Sequence, residues 1–584
     1  MSTMYTDEKN VQVLLSLLKA HGIKRIIASP GSSNSPFVAS VQFDKYFEVY
    51  SSVDERSAAY LACGLAAETN EPVVISCTGA TASRNYAPGL TEAFYRKLPV
   101  LAITSSQPVG RVGHHIAQVI DRSVIPNDVA RLSLNLPIIK DAEDEWDCVI
   151  TVNKAILELG RGGGGPAHIN LQTSSQRTYS TKVLPSYRKI NRFFSKDELP
   201  KLPDSRIAVF VGSHRKWNKR EADALENFCL STGAVVFCDH TSGYHGKNRL
   251  LFSLVGSQQY LDKTTFKPDL MIHIGEVTGD YPSISLSGTE VWRVSPDGEI
   301  RDTFRKLTTV FEMDESVFFN KYTNDKESDN SYYTSCDRFL SSLRNSIPEL
   351  PFSNIYLAHI LADKIPQNSV IHFGILNSLR SWNLFELPEG VELMSNVGGF
   401  GIDGCVSTLI GASLANRNKI FYCVIGDLAF FYDLNVLGNR HVGNNIRILL
   451  VNNGKGTEFK QYKHHTSHFR DYADEYISAA GHFGNQSPTL VKQYAENLGF
   501  EYLSATSKEE FLSVHSGFIK TESKARPIVF EVFTNSEDES KALEMMMSIH
   551  KDTVFGAKST MKQTAKGILG DRGMALLRKN LGKK

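Results

Sequence analysis

A chain of 584 residues exceeds what one hydrophobic core can organise, since single cores stop growing near ~250–300 residues, so three or four domains are expected. With 41% hydrophobic and 22% charged residues, its composition excludes a disordered or fibrous chain. The formal net charge of +1 gives no global field toward nucleic acid or a membrane surface, so neither is expected as a partner. The eight cysteines are scattered without a CxxC pair, several inside apolar runs such as 76–78 and 422–424, and read as buried small hydrophobes rather than a disulfide or zinc framework. No secretory pattern is visible and no apolar run approaches the ~20 residues of a membrane span, so a cytoplasmic location is expected.

In chain order, an apolar helix over 11–20 ends at Gly22. A buried strand at 24–28 runs into the turn Pro30–Ser35. A strand near 47–53, a helix over 55–68, a strand at 72–78, one further helix and a strand at 98–104 follow. After a polar segment (about 180–204) the pattern restarts with strands at 207–212, 233–239 and 269–275. A charged, Ser/Asn-rich stretch at 324–331 marks the next boundary, and the third block has strands at 369–373, 419–425, 446–451 and 527–533. Short apolar strands alternating with helices give an α/β fold of three consecutive doubly wound parallel-sheet domains, 1–190, 191–330 and 331–548. The tail 549–584 carries nine Lys/Arg against two acids and reads as a solvated or subunit-bracing segment, an anion-lid role being the alternative. In the central block Val211–His214 lacks GxGxxG, so no dinucleotide is expected.

The third block holds the most specific pattern. The strand at 421–425 ends in Gly426–Asp427, and the strand at 446–451 ends in Asn452–Asn453–Gly454. The interval accommodates a loop, a helix and a return strand, so both polar ends should emerge at one carboxyl edge, where such folds bind ligands. A carboxylate, an amide oxygen and a backbone carbonyl suit Mg²⁺ holding a diphosphate, and Gly426 would let the backbone approach phosphates. Two ordinary strand-end turns would also explain the pattern. In the first block Glu55 begins a helix after a strand. The macrodipole alone favours an acid there, while the Ala/Gly-rich helix behind it permits close packing.

Six segments in order, at 29–36, 54–59, 77–82, 85–93, 395–404 and 426–435, together with GlyAsp…AsnAsn, resemble the thiamine-diphosphate-dependent 2-oxo acid decarboxylases and carboligases, in particular their menaquinone-pathway branch. GlyIleAspGly and TyrAspLeuAsn are specific to that branch. The resemblance implies a pyrimidine-binding first domain, a diphosphate- and Mg²⁺-binding third domain, and a C–C bond-forming transferase: decarboxylation of a 2-oxo acid, then transfer of the acyl carbanion to an acceptor. It implies Glu55 as the catalytic acid that drives the aminopyrimidine to its imino form. Gly426, Asp427, Asn453, Thr78, Asn377, Ser378 and Ile402 would contact the cofactor, with Asp427, Asn453 and the Lys455 carbonyl as Mg²⁺ ligands. It further implies a homodimer or homotetramer with active sites at the subunit interface.

The departures concern substrate. The branch has arginine where this chain has Ser33 (beside Ser32), before the proline ending the fifth strand where it has Gln107, and after SerAsn where it has Val397. A guanidinium gripping a carboxylate is not replaced by an amide or a valine. Gln118 matches a substrate-site glutamine of the family. His114 and His115, with Arg111, surround it as a possible anion pocket. His464 and His465, near His468, fall in a lid-like region as substrate-contact candidates, exposed loop residues being the alternative. The expectation is retained cofactor chemistry on altered substrates: a 2-oxo acid donor, pyruvate rather than a dicarboxylate being one candidate, and an acceptor such as an aldehyde or sugar instead of isochorismate. The alternatives are the menaquinone-pathway synthase reaction itself, a plain 2-oxo acid decarboxylase, and a non-catalytic scaffold.

Overall fold

A computed structural model describes residues 4–122, 124–174, 178–324, 328–482, 487–520 and 526–550. The basic tail beyond 550 and part of the 324–331 linker lie outside the described residues. The chain forms two compact units, Met1–Leu199 with Asp297–Glu312, and Pro200–Pro296 with Met313 onward.

The first unit is built on β1 (Arg25–Ala28), β2 (Glu48–Ser51), β3 (Val73–Thr78), β4 (Val100–Ser106), β5 (Leu132–Leu136) and β6 (Ala167–Gln172). They form a parallel sheet of order β2-β1-β3-β4-β6-β5. Adjacent strand residues feed opposite faces. Ile26, Val74, Leu101 and Ile103 pack with Val11, Leu14 and Leu18 of the helix Lys9–Ala20. Ile27, Val73, Ile75 and Ala102 pack with Ala58, Ala59 and Ala62 of the helix Glu55–Thr69. Burial on both faces is why these strands read as unbroken apolar runs. The same unit holds β7 (Asn191–Phe194), inside the segment expected to be merely polar. It pairs in parallel with the later strand Leu307–Glu312, numbered β13 in chain order.

The second unit contains two sheets. β8 (Ile207–Val211), β9 (Val235–Cys238), β10 (Arg249–Leu251), β11 (Leu270–Ile274) and β12 (Glu290–Ser295) run in the order β10-β9-β8-β11-β12. The other has β14 (Val370–Phe373), β15 (Glu392–Ser395), β16 (Phe421–Gly426), β17 (Ile446–Asn452), β18 (Glu501–Ala505) and β19 (Ile528–Phe533), ordered β15-β14-β16-β17-β19-β18. Counted from its own first strand, this order repeats that of the first sheet, an architectural duplication without a visible sequence repeat.

Two details differ from the sequence reading. The single helix expected between β3 and β4 is two, Ala80–Asn85 and Ala87–Arg96, because Pro88 starts a new first turn. Gln107 follows the fourth strand, not the fifth. All eight cysteines are free and buried, and Cys405 and Cys423 bring their sulfurs to 3.7 Å without a bond. Among the described residues no helix is long and apolar enough to cross a membrane.

Candidate active site

In the first unit the sheet changes direction of growth between β1 and β3, and the loops above that point carry several of the residues singled out. Gly31 lies so close to Thr78 that an added Cβ would fall 1.9 Å from its methyl, so the Pro30–Ser35 turn and the end of β3 interlock. Ser33 spends its hydroxyl on the Ser105 carbonyl at 3.0 Å, and Ser32 accepts the Ser35 hydroxyl at 2.6 Å. Gln107 accepts a hydrogen bond from Arg111. His114, His115 and Gln118 are exposed, and His115 (φ +55°) and Gln118 (φ +63°) hold left-handed backbone that costs non-glycine residues energy.

Glu55 is the first residue of its helix, but Asp54 does the capping, accepting from the Arg56 amide at 2.9 Å. The half-buried Glu55 carboxylate instead accepts from Asn85 Nδ2 at 3.3 Å. The helix is held from behind by close packing. A Cβ on Gly89 would come within 2.4 Å of Ala59 Cβ, and Cys63 donates to the Gly89 carbonyl at 3.1 Å. Burial pushes the nearby Cys77 thiol up to about 12, helped by the Glu55 charge.

In the second unit, β14 and β16 flank the switch point of their sheet, and β16 pairs with β17 so that Gly426 lies opposite Val451. The loops leaving these three strands enclose a cavity of about 200 Å³. It gathers Asn377, Ser378, Ile402, Gly426, Asp427, Asn453 and Lys455, all singled out from sequence. Asp427 is 4% exposed, and burial raises its carboxyl to about 7 despite hydrogen bonds from the amides of Leu428, Asp427 itself and Gly454. Asn453 donates weakly to Thr457 at 3.4 Å, and its Oδ1 is buried without a partner. A side chain at Gly426 would meet nothing within 4 Å, so the space before it is open. Lys455 directs its ammonium away to Asp474 at 2.6 Å. A desolvated carboxylate and an orphaned amide oxygen lining one cavity are a donor set that fits a hard divalent cation.

Sequence reasoning missed Asn354, Leu376 and Thr457–Phe459 on the same wall. Asn354 is 3% exposed with Oδ1 unpartnered, and Leu376 holds φ +63°, ψ −122°. The only available signal was SerAsn at a helix start. Val397 is buried near Leu379, where both side chains crowd Gly279. His464 bonds Thr466 at 2.8 Å, and His465 is exposed with its ring 4.3 Å from that of His464. Among the described residues no three His, Cys, Asp or Glu side chains gather as a metal site.

Residues 9–125 match the N-terminal thiamine pyrophosphate binding domain of thiamine pyrophosphate enzymes, which sets the class. Over nearly its whole length the chain is similar to proteins named 2-succinyl-5-enolpyruvyl-6-hydroxy-3-cyclohexene-1-carboxylate synthase. That of Phocaeicola vulgatus is 31% identical over 570 residues, 92% of this chain and 98% of its own. That of Bacteroides fragilis is 31% identical over 572 residues (93% and 99%), and that of Bacteroides thetaiotaomicron 31% over 567 (93% and 98%). The chain belongs to the thiamine-diphosphate-dependent enzyme family that includes these synthases.

Proposed function

We propose that this enzyme decarboxylates a 2-oxo acid and joins the remaining acyl unit to an acceptor other than isochorismate, using thiamine diphosphate and Mg²⁺. The observation that carries the cofactor part is the cavity above β14, β16 and β17, lined both by the buried Asp427 and by Asn453 with its unpartnered Oδ1. Asp427, Asn453 and the Lys455 carbonyl would hold the metal, and the open face of Gly426 would receive the diphosphate. Bound thiamine diphosphate supplies the electron sink for decarboxylation. Glu55 would hold a proton against the aminopyrimidine ring nitrogen, and Asn85 orients its carboxylate at 3.3 Å.

Altered substrates are supported by what stands at the three departing positions. Ser33 is bonded to backbone, Gln107 is engaged by Arg111, and Val397 is buried. None offers a free cation to a substrate carboxylate. A homodimer or homotetramer in the cytoplasm is proposed with this chemistry. Tyr60 (48% exposed) and Leu61 (54%) leave the helix behind Glu55 with an apolar face that a second copy would cover. A second reading, the reaction of the named synthases, is favoured by similarity across 92% of the chain.

The test is uptake of thiamine diphosphate with Mg²⁺ by calorimetry, then a screen of 2-oxo acids with and without acceptors. Failure of uptake removes the cofactor reading. Coupled loss of 2-oxoglutarate and isochorismate establishes the second reading instead. Free aldehyde and CO₂ without any acceptor identifies a plain decarboxylase.

A further inference from the structure

One acid interrupts the apolar run of β19. Val529, Phe530 and Val532 are buried hydrophobes, and Glu531 among them is 1% exposed. Its strand neighbours are Leu450 of β17 on one side and Ser504 of β18 on the other. Glu531 Oε1 accepts from Asn452 Nδ2 and Oε2 from the Tyr502 hydroxyl, each at 2.7 Å. Both donors are neutral, and among the described residues no cation pairs with this carboxylate. A donor on each oxygen favours the ionised form, against the burial that pushes the carboxyl up. A buried charge without a counter-charge is costly, and an apolar side chain would suit the sheet better.

The carboxyl edge of the sheet accounts for the acid. Asn452, which Glu531 holds by its amide, directly precedes Asn453, and its backbone carbonyl accepts from the Thr534 amide at 3.1 Å. Asp427 follows β16, the second neighbour of β19 with β17 between them. It too is buried with no cationic partner among the described residues, and the Glu531 charge is among the causes that push its carboxyl up. Two buried carboxylates thus act on one cavity, although only Asp427 lines it. On their own they repel each other. A divalent cation held by Asp427 reverses the sign of the net charge there, so that Glu531 attracts what it otherwise repels.

We propose that Glu531 is a positioning residue of the metal site, whose charge strengthens the hold of Asp427 and Asn453 on a divalent cation and whose bond to Asn452 fixes the strand end that presents Asn453. This rests on the functional reading above and deepens it: metal affinity is set in part by a carboxylate that does not ligate the ion. Hydrogen-bonded groups behind the ligands and the count of charges around them both tune such sites.

The test uses the full-length protein with saturating thiamine diphosphate and reads metal affinity directly, Mg²⁺ by calorimetry and Tb³⁺ by luminescence. Glu531→Gln keeps the volume and an acceptor for Asn452 while removing the charge. Its Mg²⁺ affinity should fall at least about tenfold, with the circular dichroism spectrum unchanged. Coulomb attraction grows in proportion to the charge of the ion, so a tenfold loss for Mg²⁺ should become about thirtyfold for Tb³⁺. A merely structural disturbance would cost both ions alike. Glu531→Asp keeps the charge and should stay within about threefold of wild type for both ions, a result that decides the matter even should Glu531→Gln not fold. Equal Mg²⁺ affinity in wild type and Glu531→Gln overturns the proposal. An equal loss for the two ions, or a loss in Glu531→Asp as large as in Glu531→Gln, overturns it as well. Wild-type protein that takes up neither ion with thiamine diphosphate is a separate result, and counts against the functional reading rather than against Glu531.

Discussion

Gly89→Ala probes the link between packing and chemistry. The added methyl would lie 2.4 Å from Ala59 Cβ, 2.9 Å from Ala59 C and 3.0 Å from Tyr60 N. Two of these are backbone atoms, so no rotamer change relieves the clash, and the helix Glu55–Thr69 must move off the helix Ala87–Arg96 by about 1 Å to restore contacts near 3.5–4.0 Å. Overpacking of this kind costs about 1–3 kcal/mol, partly offset by up to ~1 kcal/mol of helix propensity gained over glycine. Because Glu55 begins the displaced helix, turnover should fall by about a hundredfold, the usual consequence of ~1 Å misplacement. Urea unfolding and steady-state consumption of the preferred 2-oxo acid read the two effects. Gly517→Ala is the control: its nearest neighbour is Leu503 Cδ1 at 3.9 Å, so stability should hold or rise by ~0.5–1 kcal/mol. Equal stability and turnover for Gly89→Ala and wild type would refute the packing argument.

Glu55→Gln should still take up thiamine diphosphate, measured by calorimetry, and lose about 10²–10⁴-fold in turnover, the range for a positioned proton donor. Asn453→Ala should weaken cofactor uptake at fixed Mg²⁺ by about tenfold or more, with excess Mg²⁺ recovering part of it. Burial raises the Glu539 carboxyl to about 7 from 4.5. A raised folded-state value means that its stabilising contribution is complete below pH ~4.5 and lost as pH climbs to ~7, a change on the order of 3 kcal/mol. Urea midpoints between those pH values should therefore fall in wild type and fall less in Glu539→Gln, whose amide oxygen can still accept from the Asn354 amide and the Thr534 hydroxyl, now at 3.0 and 2.8 Å.

Legibility in the sequence followed burial. Strands lined by apolar residues on both faces, such as Val73–Thr78 and Ile446–Asn452, announce themselves as unbroken runs. The edge strands β5, β15 and β18 escape notice because they are only partly buried and carry mixed side chains. Interior β6 hides for another reason, since the buried polar residues His168 and Asn170 break its apolar pattern. The grouping of Asn377, Asp427 and Asn453 was readable because polar residues ending neighbouring parallel strands must share one edge. Asn354 was not, since its place on that wall depends on a helix entering from elsewhere in the chain.

The cavity walls are fastened to each other. Arg380 bonds Glu458 at 2.5 Å. Thr457 Oγ1 donates to Asn377 Oδ1 at 2.8 Å, and Asn377 Nδ2 donates to Glu458 Oε2 at 2.9 Å. The strand-end loop at 374–378 and the stretch at 457–459 are thereby cross-braced before anything enters. Ordering entropy that a floppy pocket would lose on loading has been spent during folding, so uptake should be enthalpically simple and slow amide exchange should span both segments as one cooperative block.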